Sequence, residues 1–368
     1  MKKILVVGVS SIVGGIETFF HEVFKEKSKV FDITFLCFDK PCAFADVYVS
    51  AGYKVDVMPS RRSNPAFFSR NVKKYLKSHN DFDYVWINTS STSIYQFQLY
   101  SKKYTKAKVI THSHGTKFEK SGNWLIHVAN MILDTVNYKK VVSNTDLFFC
   151  CSRAAGIALF GYKKASELCV IHNGIDCNKF AYNQDFRNDI RKEFSIDDGA
   201  LLVGVVGRLS LQKNPMKAIG IFKSVIEKRS DAKLLVVGAG DMLSKMQEEI
   251  TALGLDGNVI IAGLRHDVNK IYSALDVLIM PSLFEGLPLT AVEAQCSGVH
   301  CVLSDTITKE VAITDLTSFL ALDKADEKWA EIVLATTKKS ERSQYSSLVK
   351  AKGYDSIGVK QTIESILV

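Results

Sequence analysis

The stretch Leu201-Leu202-Val203-Gly204-Val205-Val206-Gly207-Arg208 decides the fold class of this chain of 368 residues. It is a continuous apolar run of strand length that ends in glycine and arginine, and a helical pattern begins soon after it at Pro215. Continuous apolar runs are typical of strands in a parallel sheet that is covered on both faces. The stretch therefore predicts a strand–loop–helix unit with a charged loop at the carboxyl end of the strand.

The same alternation of strands and helices occurs on both sides of this stretch. A polar segment near Asn183–Asn188 separates two series, and the length of the chain exceeds that of one ordinary core. We expect two α/β domains, residues 1–183 and 184–350, each a doubly wound parallel sheet, facing across a cleft at the carboxyl ends of the strands. The expected strands are Ile4–Val9, Ile33–Phe38, Lys54–Met58, Tyr84–Asn88, Val109–His112, Leu147–Cys151, Leu168–Ile171, Leu201–Val206, Leu234–Val237, Val259–Ile261, Val277–Met280 and Cys301–Leu303.

The composition is that of a soluble globular protein, with 47% hydrophobic and 23% charged residues. Eight cysteines lack the spacing of a metal site, and we interpret them as reduced thiols in a cytoplasmic protein. No apolar run reaches the roughly 20 residues that a membrane span needs. The basic and apolar start of the chain predicts a first buried strand rather than a signal peptide.

The net charge of +8 is carried by the first 183 residues, while the remainder is slightly acidic. From Arg61 to His79 the chain carries six lysines and arginines, no acidic residue, and interleaved apolar residues. This pattern predicts a basic amphipathic helix. Such a helix lies on an anionic membrane surface or packs its apolar stripe on its own domain, and the sequence leaves both open. Nucleic acid is not an expected partner, because no nucleic-acid-binding motif accompanies the charge.

Residues Phe284–Ala294, FEGLPLTAVEA, contain two glutamates eight positions apart, Glu285 and Glu293. Gly286 permits unusual backbone angles, and Pro288 suits the first turn of a helix. We therefore expect Glu285 just before a helix N-terminus and Glu293 about 7 Å along the helix.

The first backbone N–H groups of this helix, near Leu289 and Thr290, have no partner within the helix and favour an anion. One acid at the mouth and one inside suit a ligand with hydroxyls at both ends and phosphates between them. A nucleotide sugar has this layout.

An arginine and a lysine, Arg208 and Lys213, stand at the predicted strand-to-helix turn, where they can neutralise a diphosphate. This Gly-Arg-x4-Lys pattern, together with the Glu-x7-Glu pattern of Glu285 and Glu293, resembles the signatures of the retaining glycosyltransferases of family 4, which have the GT-B fold. The resemblance implies that Arg208 and Lys213 hold the diphosphate of the donor. It also implies that Glu293 binds the ribose hydroxyls and Glu285 the hydroxyls of the sugar.

Three further positions match the family. Gly14-Gly15 resembles its N-terminal loop over the phosphates of the donor. His112 matches its strand-end histidine beside the transferred sugar, with His114 as the alternate. Leu264 stands where members offer backbone groups to the base.

The resemblance also implies two Rossmann-like domains, with a final helix at about residues 354–368 that packs back on the first. The expected reaction is the transfer of a hexosyl unit from a nucleotide diphosphate sugar, UDP in our interpretation, with no cofactor and no metal. The expected acceptor is a glycan or a lipid-linked saccharide. The expected pathway is capsular polysaccharide, exopolysaccharide or O-antigen assembly at the inner face of the cell membrane, with peripheral contact through the basic domain.

Several alternatives compete with this interpretation. Asp81-Phe82-Asp83 matches an Asp-x-Asp metal motif, but we interpret it as a loop before a strand. Gly238-Ala239-Gly240 lacks the third glycine of a dinucleotide fingerprint, which removes the main support for a nicotinamide enzyme. A sugar-nucleotide epimerase or hydrolase on the same fold, and a non-catalytic nucleotide-sugar-binding subunit, remain alternative functions.

Overall fold

The structure, a computed structural model, describes residues 1–115, 124–336 and 341–368, with residues 124–131 described by their backbone alone. The chain forms two compact units. Unit 1 comprises Met1–Gly174 and Ser356–Val368, and unit 2 comprises Ile175–Asp355.

Unit 1 is built on a parallel sheet in which the described residues supply seven strands, in the order β3-β2-β1-β4-β5-β6-β7. Every neighbouring pair is parallel, so each connection returns through a crossover, as in doubly wound folds. The strands are β1 (Lys2–Val7), β2 (Phe31–Phe38), β3 (Lys54–Met58), β4 (Tyr84–Thr89), β5 (Lys108–Ser113), β6 (Leu147–Cys150) and β7 (Leu168–Val170).

Helices cover both faces of this sheet. The described residues form two large hydrophobic clusters, one centred on Phe20, Phe35 and Trp86 and the other on Leu5, Phe68 and Phe97, and a small third one around Phe160. The helices before the end of unit 1 are α1 (Gly15–Phe24), α2 (Ala45–Ser50), α3 (Pro65–Ser78), α4 (Gln96–Tyr104), α5 (Trp124–Ser143) and α6 (Arg153–Phe160), with a short turn at Tyr162–Lys164.

The last helix of the chain, α14 (Ser356–Leu367), belongs to unit 1. Its side chains Val359, Ile363 and Leu367 are buried in the cluster around Phe20, and α14 packs against α1. The chain passes Gly174 closely here, since a Cβ on this residue would lie 2.8 Å from the Cα of Ser356. A glycine at position 174 is therefore required by packing.

Unit 2 is built on a second parallel sheet, with six strands in the order β10-β9-β8-β11-β12-β13 among the described residues. The strands are β8 (Leu202–Val206), β9 (Lys233–Val237), β10 (Val259–Gly263), β11 (Val277–Met280), β12 (His300–Ser304) and β13 (Thr317–Leu320). The helices are α7 (Gln184–Glu193), α8 (Pro215–Ile226), α9 (Leu243–Ala252), α10 (Val268–Ala274), α11 (Leu289–Cys296), α12 (Asp326–Ala335) and α13 (Gln344–Val349), with short turns at Leu211–Lys213, Lys309–Val311 and Lys350–Tyr354.

The fold class expected from the sequence is confirmed. Every expected strand is present to within two residues at each end, and the two sheets are parallel and separate. Pro215 is the first residue of α8, as the sequence predicts, and Asn214 before it is the N-cap by position, without a capping bond from its side chain. The sequence reading missed β13, an edge strand of half-buried residues with no continuous apolar run.

The predicted basic amphipathic helix is α3. Its apolar stripe, Phe68, Val72 and Leu76, is buried in unit 1. The stripe therefore packs on its own unit, and the basic side chains of α3 remain on the exposed face. Among the described residues, no helix combines the length and the apolarity that crossing a membrane requires.

Candidate functional site

Two loops of unit 2 meet at the carboxyl edge of its sheet. The loop after β8 carries Lys213 and the loop after β11 carries Glu285, and the lysine Nζ lies 2.6 Å from Oε1 of the glutamate. Both side chains are largely covered, with 21% and 10% of their surface exposed. Gln212 joins the same two loops, because its side chain donates to the carbonyl of Phe284 (3.0 Å) and its own carbonyl accepts from the N–H of Leu283 (2.8 Å).

Helix α11 begins directly behind Glu285. Pro288 is its N-cap with an extended ψ of 114°, so the helix starts at Leu289, one residue later than the sequence suggests. No described side chain caps this end. The first amides of the helix, including those of Leu289 and Thr290, face outward with the positive end of the helix dipole. An anion of suitable shape can bind there.

Glu293 lies in the second turn of α11 and is half-buried. The hydroxyl of Tyr272, on α10, lies 2.9 Å from Oε2 of Glu293. Burial, followed by the nearby Glu293 carboxylate, raises the pKa of Tyr272 well above its usual value. The phenol is therefore the donor and the carboxylate the acceptor.

Arg208 is exposed on the loop after β8 and forms no ion pair with any described residue. The glycines of Gly238-Ala239-Gly240 allow the neighbouring loop to lie against this segment. A Cβ on Gly238 would come within 1.9 Å of the carbonyl oxygen of Gly207, and one on Gly240 within 2.2 Å of that of Leu209. These glycines thus shape the Arg208 loop.

Leu264 follows β10 and is 76% exposed. The next residue, Arg265, pairs with Asp267 (2.8 Å) and with Glu193 at the end of α7. These carboxylates raise the pKa of Arg265 further above its normal range. The turn that carries Leu264 is therefore held in place by the ion pairs of Arg265 with Asp267 and Glu193.

Unit 1 contains the other predicted residues. Gly14 is the N-cap of α1 and Gly15 its first residue, and a Cβ on Gly15 would meet open space. The buried Glu17, in the first turn, accepts a hydrogen bond from the N–H of Ser10 (2.8 Å). This contact holds the loop before Gly14 against the helix start.

His112 lies near the end of β5 and His114 directly follows the strand, two positions on, so both rings lie on the same side, with ring centroids 3.9 Å apart. His112 is fully buried, and its Nδ1 accepts from Nε1 of Trp86 (3.3 Å), which places its proton on Nε2. His114 is half-buried, and its Nε2 lies 2.9 Å from Oδ1 of Asn88. The amide nitrogen of Asn88 donates to the carbonyl of Val7, so its Oδ1 accepts from His114 and leaves Nδ1 of His114 as an acceptor.

Both imidazoles are held neutral. Burial lowers the pKa of His114 to about 3. Burial, and then the neighbouring His114, lower the pKa of His112 well below its usual value. Neither ring is protonated at neutral pH.

The Asp-x-Asp pattern lies at the opposite edge of the unit 1 sheet, before β4. Asp83 accepts from the backbone N–H of Lys3 (2.8 Å), and Asp81 pairs with the ammonium of the same lysine (2.5 Å). Both acids therefore anchor β1. Across the described ranges, no group of three or more histidine, cysteine and acidic side chains could hold a metal ion.

Sequence reasoning missed four residues that support these positions: Gln212, Tyr272, Glu17 and Asn88. Gln212 stands next to Lys213, and Glu17 follows Gly14-Gly15, so proximity to a motif was an available signal for both. Tyr272 and Asn88 lie far along the chain from the residues they contact, and only the fold brings them together.

Two family models match the chain in succession. Residues 13–179 match the model described as Glycosyltransferase Family 4, and residues 186–349 match the model described as Glycosyl transferases group 1. The two matches follow the two units closely.

Individual proteins agree with these matches. EpsF, an inferred glycosyltransferase of Bacillus subtilis (strain 168), is 28% identical over 93% of this chain and 90% of its own length. The UDP-Gal:alpha-D-GlcNAc-diphosphoundecaprenol alpha-1,3-galactosyltransferase of Escherichia coli is 32% identical over 39% of this chain and 38% of its own. The crystal structure of HepE of Anabaena in complex with UDP has a TM-score of 0.78 at 18% identity, over 100% of this chain and 99% of that one. With its two parallel α/β units and its two matched halves, the chain belongs to the family 4/group 1 glycosyltransferases of the GT-B fold.

Proposed function

We propose that this protein transfers a sugar from a nucleotide diphosphate sugar, with UDP as the nucleotide, to a hydroxyl of a saccharide acceptor, with retention of the anomeric configuration. The contact between Lys213 and Glu285, beside the uncapped start of α11, carries the proposal. It brings a cation for phosphate, a carboxylate for hydroxyls and a helix N-terminus to one place. The Anabaena structure with UDP and the UDP-Gal specificity in the name of the Escherichia coli relative support UDP as the nucleotide.

Each donor-binding residue has a distinct part in this proposal. Arg208, Lys213 and the amides near Leu289 and Thr290 bind the diphosphate. Glu293 accepts from the ribose hydroxyls, and Glu285 from hydroxyls of the transferred sugar. The turn at Leu264 faces the base, Gly286 lets the loop turn into α11, and Gly14-Gly15 closes on the phosphates.

The chemistry places negative charge where these groups are. The bond between the anomeric carbon and the β-phosphate oxygen breaks, and its electron pair stays on the phosphate. The acceptor oxygen bonds to the anomeric carbon, and its proton passes to the departing phosphate. Preorganised cations and helix amides stabilise the phosphate charge as it develops, which is the role that a metal ion has in other transferases. We therefore propose that transfer needs no metal.

The histidines act as neutral groups in this scheme. An imidazolium would repel the positive charge that develops on the sugar ring, and the lowered pKa values of His112 and His114 avoid this repulsion. His114 is the better candidate to contact the sugar, because its side chain is half-buried, whereas that of His112 is fully buried.

The proposed retention rests on the family resemblance, and it needs a route without a carboxylate nucleophile, because no carboxylate among the described site residues has a nucleophile's surroundings. Glu285 is paired with Lys213, and Glu293 is bonded to Tyr272. Retaining glycosidases use a free carboxylate nucleophile beside an acid. Attack on the same face as the leaving phosphate, assisted by that phosphate, accounts for retention without such a group.

Transfer is tested by incubating the purified protein with UDP-glucose, UDP-galactose or UDP-N-acetylglucosamine and a set of lipid-linked and free saccharides, with and without EDTA. We expect acceptor-dependent release of UDP that EDTA leaves unchanged, and a product whose anomeric proton coupling by NMR matches that of the donor. Sugar release at the same rate without acceptor would indicate a hydrolase, an inverted product would exclude retention, and binding without turnover would indicate a non-catalytic subunit.

Variants assign the roles. Arg208→Ala and Glu285→Ala should each lower kcat/KM at least about 100-fold, the usual effect of removing a charged group that contacts the transition state. His114→Gln should lower kcat more than His112→Gln does. Wild-type rates in Arg208→Ala or Glu285→Ala would exclude this site.

The acceptor and the membrane contact are further parts of the proposal. The Escherichia coli relative is named for a diphosphoundecaprenol acceptor, which supports a lipid-linked saccharide acceptor and surface-polysaccharide assembly. The exposed face of α3 carries Arg70, Lys73, Lys74 and Lys77, and Phe67 beside them is 47% exposed. A basic face of this kind binds anionic headgroups, with roughly 1 kcal/mol for each basic residue near the surface.

Sedimentation with vesicles tests the contact. We expect binding to phosphatidylglycerol vesicles, weak binding to phosphatidylcholine vesicles, and loss of binding at high salt. Replacing three lysines of this face by alanine should abolish it, whereas the charge-matched replacement of three exposed lysines of unit 2 should not. An equal loss of vesicle binding in both variants would show that binding depends on the net charge and not on the basic face of α3. The two sets are Lys73, Lys74 and Lys77, and Lys223, Lys228 and Lys245.

A further inference from the structure

The contact between Tyr272 and Glu293 joins two helices of unit 2 at the candidate donor site. Tyr272 lies on α10 and is fully buried, and its hydroxyl lies 2.9 Å from Oε2 of Glu293 on α11. The ring of Tyr272 packs against Phe180, with ring centroids 5.9 Å apart. The side chain therefore has little freedom, and its hydroxyl has a fixed position.

A buried phenol is a strong partner for a carboxylate. Because burial raises its pKa well above the usual value, Tyr272 is protonated at neutral pH and donates to Glu293. A hydrogen bond with a charged acceptor is stronger than one between neutral groups, and it is stronger still away from water. One oxygen of Glu293 thus accepts from Tyr272, and this bond restricts the rotation of the carboxylate.

One arginine fastens the two helices that carry this pair. The guanidinium of Arg342 donates to the carbonyl of Tyr272 (2.9 Å) and to those of Ser273 and Leu275 at the end of α10. It also donates twice to the carbonyl of Ser297, directly after α11 (2.8 and 3.0 Å). Burial lowers the pKa of Arg342 to about 10, so it remains a cation at neutral pH.

We propose that Tyr272 is a positioning residue, which holds the carboxylate of Glu293 in the orientation that recognises the ribose hydroxyls of the donor nucleotide. The inference rests on the proposed function, in which Glu293 binds the ribose. It adds the residue, Tyr272, on which the recognition of the ribose by Glu293 depends. The recognised ligand class is a ribonucleoside diphosphate, and the discriminated class is its deoxy analogue.

A carboxylate that accepts from a ribose hydroxyl loses that bond when the hydroxyl is missing. A site built around a hydroxyl rejects the analogue without it, because the polar group of the site is left unpaired. A carboxylate that can rotate loses less binding free energy with the deoxy analogue, because it can turn to accept from water instead. The selectivity for UDP over its deoxy analogues therefore reports the orientation of Glu293, independently of overall stability.

Isothermal titration with UDP, 2′-deoxy-UDP and 3′-deoxy-UDP measures this selectivity. We expect wild-type protein to bind UDP about 10-fold or more tightly than at least one deoxy analogue, the effect of one hydrogen bond to a charged group. Tyr272→Phe should bring the ratio to within about 3-fold, which is the corresponding loss of that bond. Glu293→Gln should also reduce it.

Tyr345→Phe is the matched control. Tyr345 is also a buried tyrosine of unit 2, and its hydroxyl donates to the carboxylate of Asp315 (3.0 Å) and not to that of Glu293. Its loss removes the same kind of bond at a similar cost in stability. The UDP selectivity of this variant should equal that of wild type.

A double variant separates positioning from an independent effect. If Tyr272 acts through Glu293, adding Tyr272→Phe to Glu293→Gln changes the selectivity no further. The double variant also removes the charge that Tyr272→Phe leaves without its donor, so it remains measurable if the single variant folds poorly.

The outcomes are distinguishable. Wild-type selectivity in Tyr272→Phe, or a further loss in the double variant, would overturn the role of Tyr272 and leave the proposed function intact. Equal affinity of wild-type protein for UDP and both analogues would overturn the ribose role of Glu293 and the inference with it. No binding of UDP by wild-type protein would overturn the proposed function itself.

Discussion

The ammonium of Lys213 and the carboxylate of Glu285 lie 2.6 Å apart and form an ion pair. In the proposed function these groups have separate partners, the diphosphate and the transferred sugar. A donor must therefore replace one ion pair by two new sets of contacts. The ion pair partly neutralises each group, which lowers the cost of placing both charges in a partly covered site.

This exchange predicts opposite effects of two substitutions on the binding of UDP, which has phosphates but no sugar. Glu285→Gln removes the carboxylate that competes with the phosphates of UDP for Lys213, so the affinity for UDP should stay equal or rise a few-fold. Lys213→Ala should weaken the binding of UDP about 10-fold or more, since it removes a charged contact to phosphate. Isothermal titration measures both.

Lys217 provides the control for this pair. Its ammonium pairs with Asp326 (2.7 Å), and its side chain is 21% exposed, the same fraction as Lys213. Lys217→Ala should leave the affinity for UDP at the wild-type value. A Glu285→Gln protein that binds UDP 10-fold more weakly would contradict the exchange, because Glu285 would then support phosphate binding directly.

The second prediction concerns the turn that presents Leu264. Arg265 fastens this turn to Asp267 and Glu193, so Arg265→Ala should let it move. We expect UDP to bind about 3- to 10-fold more weakly, and UMP to lose a similar factor, because the base contact is common to both. Binding is measured by titration of both nucleotides.

Arg229→Ala is the control for Arg265→Ala. Arg229 also pairs with an aspartate two residues on, Asp231, but it lies at the other end of the sheet. Its replacement should change neither affinity. If Arg265→Ala weakens UDP but leaves UMP unchanged, the turn acts on the phosphates and not on the base.

The sequence predicted the fold well because the signal for each strand is local. The apolar runs at Ile4, Leu201 and Val277 are continuous, and each is buried on both faces in the structure. Strand β13 escaped because an edge strand is half exposed, and Thr317 and Ser318 interrupt its apolar residues.

The site was predictable only in part, for a related reason. Motifs such as Gly207-Arg208 and Glu285–Glu293 are short and lie in one stretch of chain each. The contact between Lys213 and Glu285 joins residues 72 positions apart, and the contact between Tyr272 and Glu293 crosses from one helix to another. Such contacts depend on how loops meet at a sheet edge, and no periodicity in the sequence encodes that.

The third prediction concerns the stability of unit 2. Asp276 precedes β11, and its carboxylate accepts from the guanidinium groups of Arg187 (3.2 Å) and Arg191 (2.7 Å) and from the N–H of Leu202 (2.8 Å). These side chains are 4–7% exposed. Asp276→Ala removes the buried carboxylate that both guanidinium groups share and leaves them with backbone carbonyls and the exposed Asp198, 3.5 Å from Arg187. We expect a loss of about 3–5 kcal/mol in the free energy of unfolding.

Denaturation with urea, followed by circular dichroism, measures this loss. Asp231→Ala removes an exposed aspartate that also pairs with an arginine, and it should cost no more than about 0.5 kcal/mol. Equal effects of the two substitutions would show that the buried cluster contributes nothing specific.

The last prediction concerns the response of unit 1 to acid. The folded-state pKa of His114 is about 3, whereas an unfolded histidine has a pKa of about 6.5. Above pH 6.5 both states are neutral at this residue and the pH has no effect through it. Below pH 6.5 the unfolded chain takes up a proton that the folded protein does not, so stability is lost as the pH falls towards 3. The expected slope is about 1.4 kcal/mol per pH unit, and His112 adds a similar contribution.

Urea denaturation at pH 7, 6, 5 and 4 compares wild type with His114→Gln and with His266→Gln. Carboxylates contribute to the acid response in all three proteins, so the difference between their slopes isolates the histidine. Between pH 6 and 4, the slope of the free energy of unfolding against pH should be smaller in His114→Gln than in wild type by the equivalent of about one bound proton. Glutamine does not titrate, and it can still donate to Asn88. His266 is exposed, and its replacement should leave the slope unchanged. A slope in His114→Gln equal to that of wild type would mean that His114 is protonated as readily in the folded protein as in the unfolded chain, and the neutral histidine that the sugar-transfer scheme requires would then be excluded below pH 6.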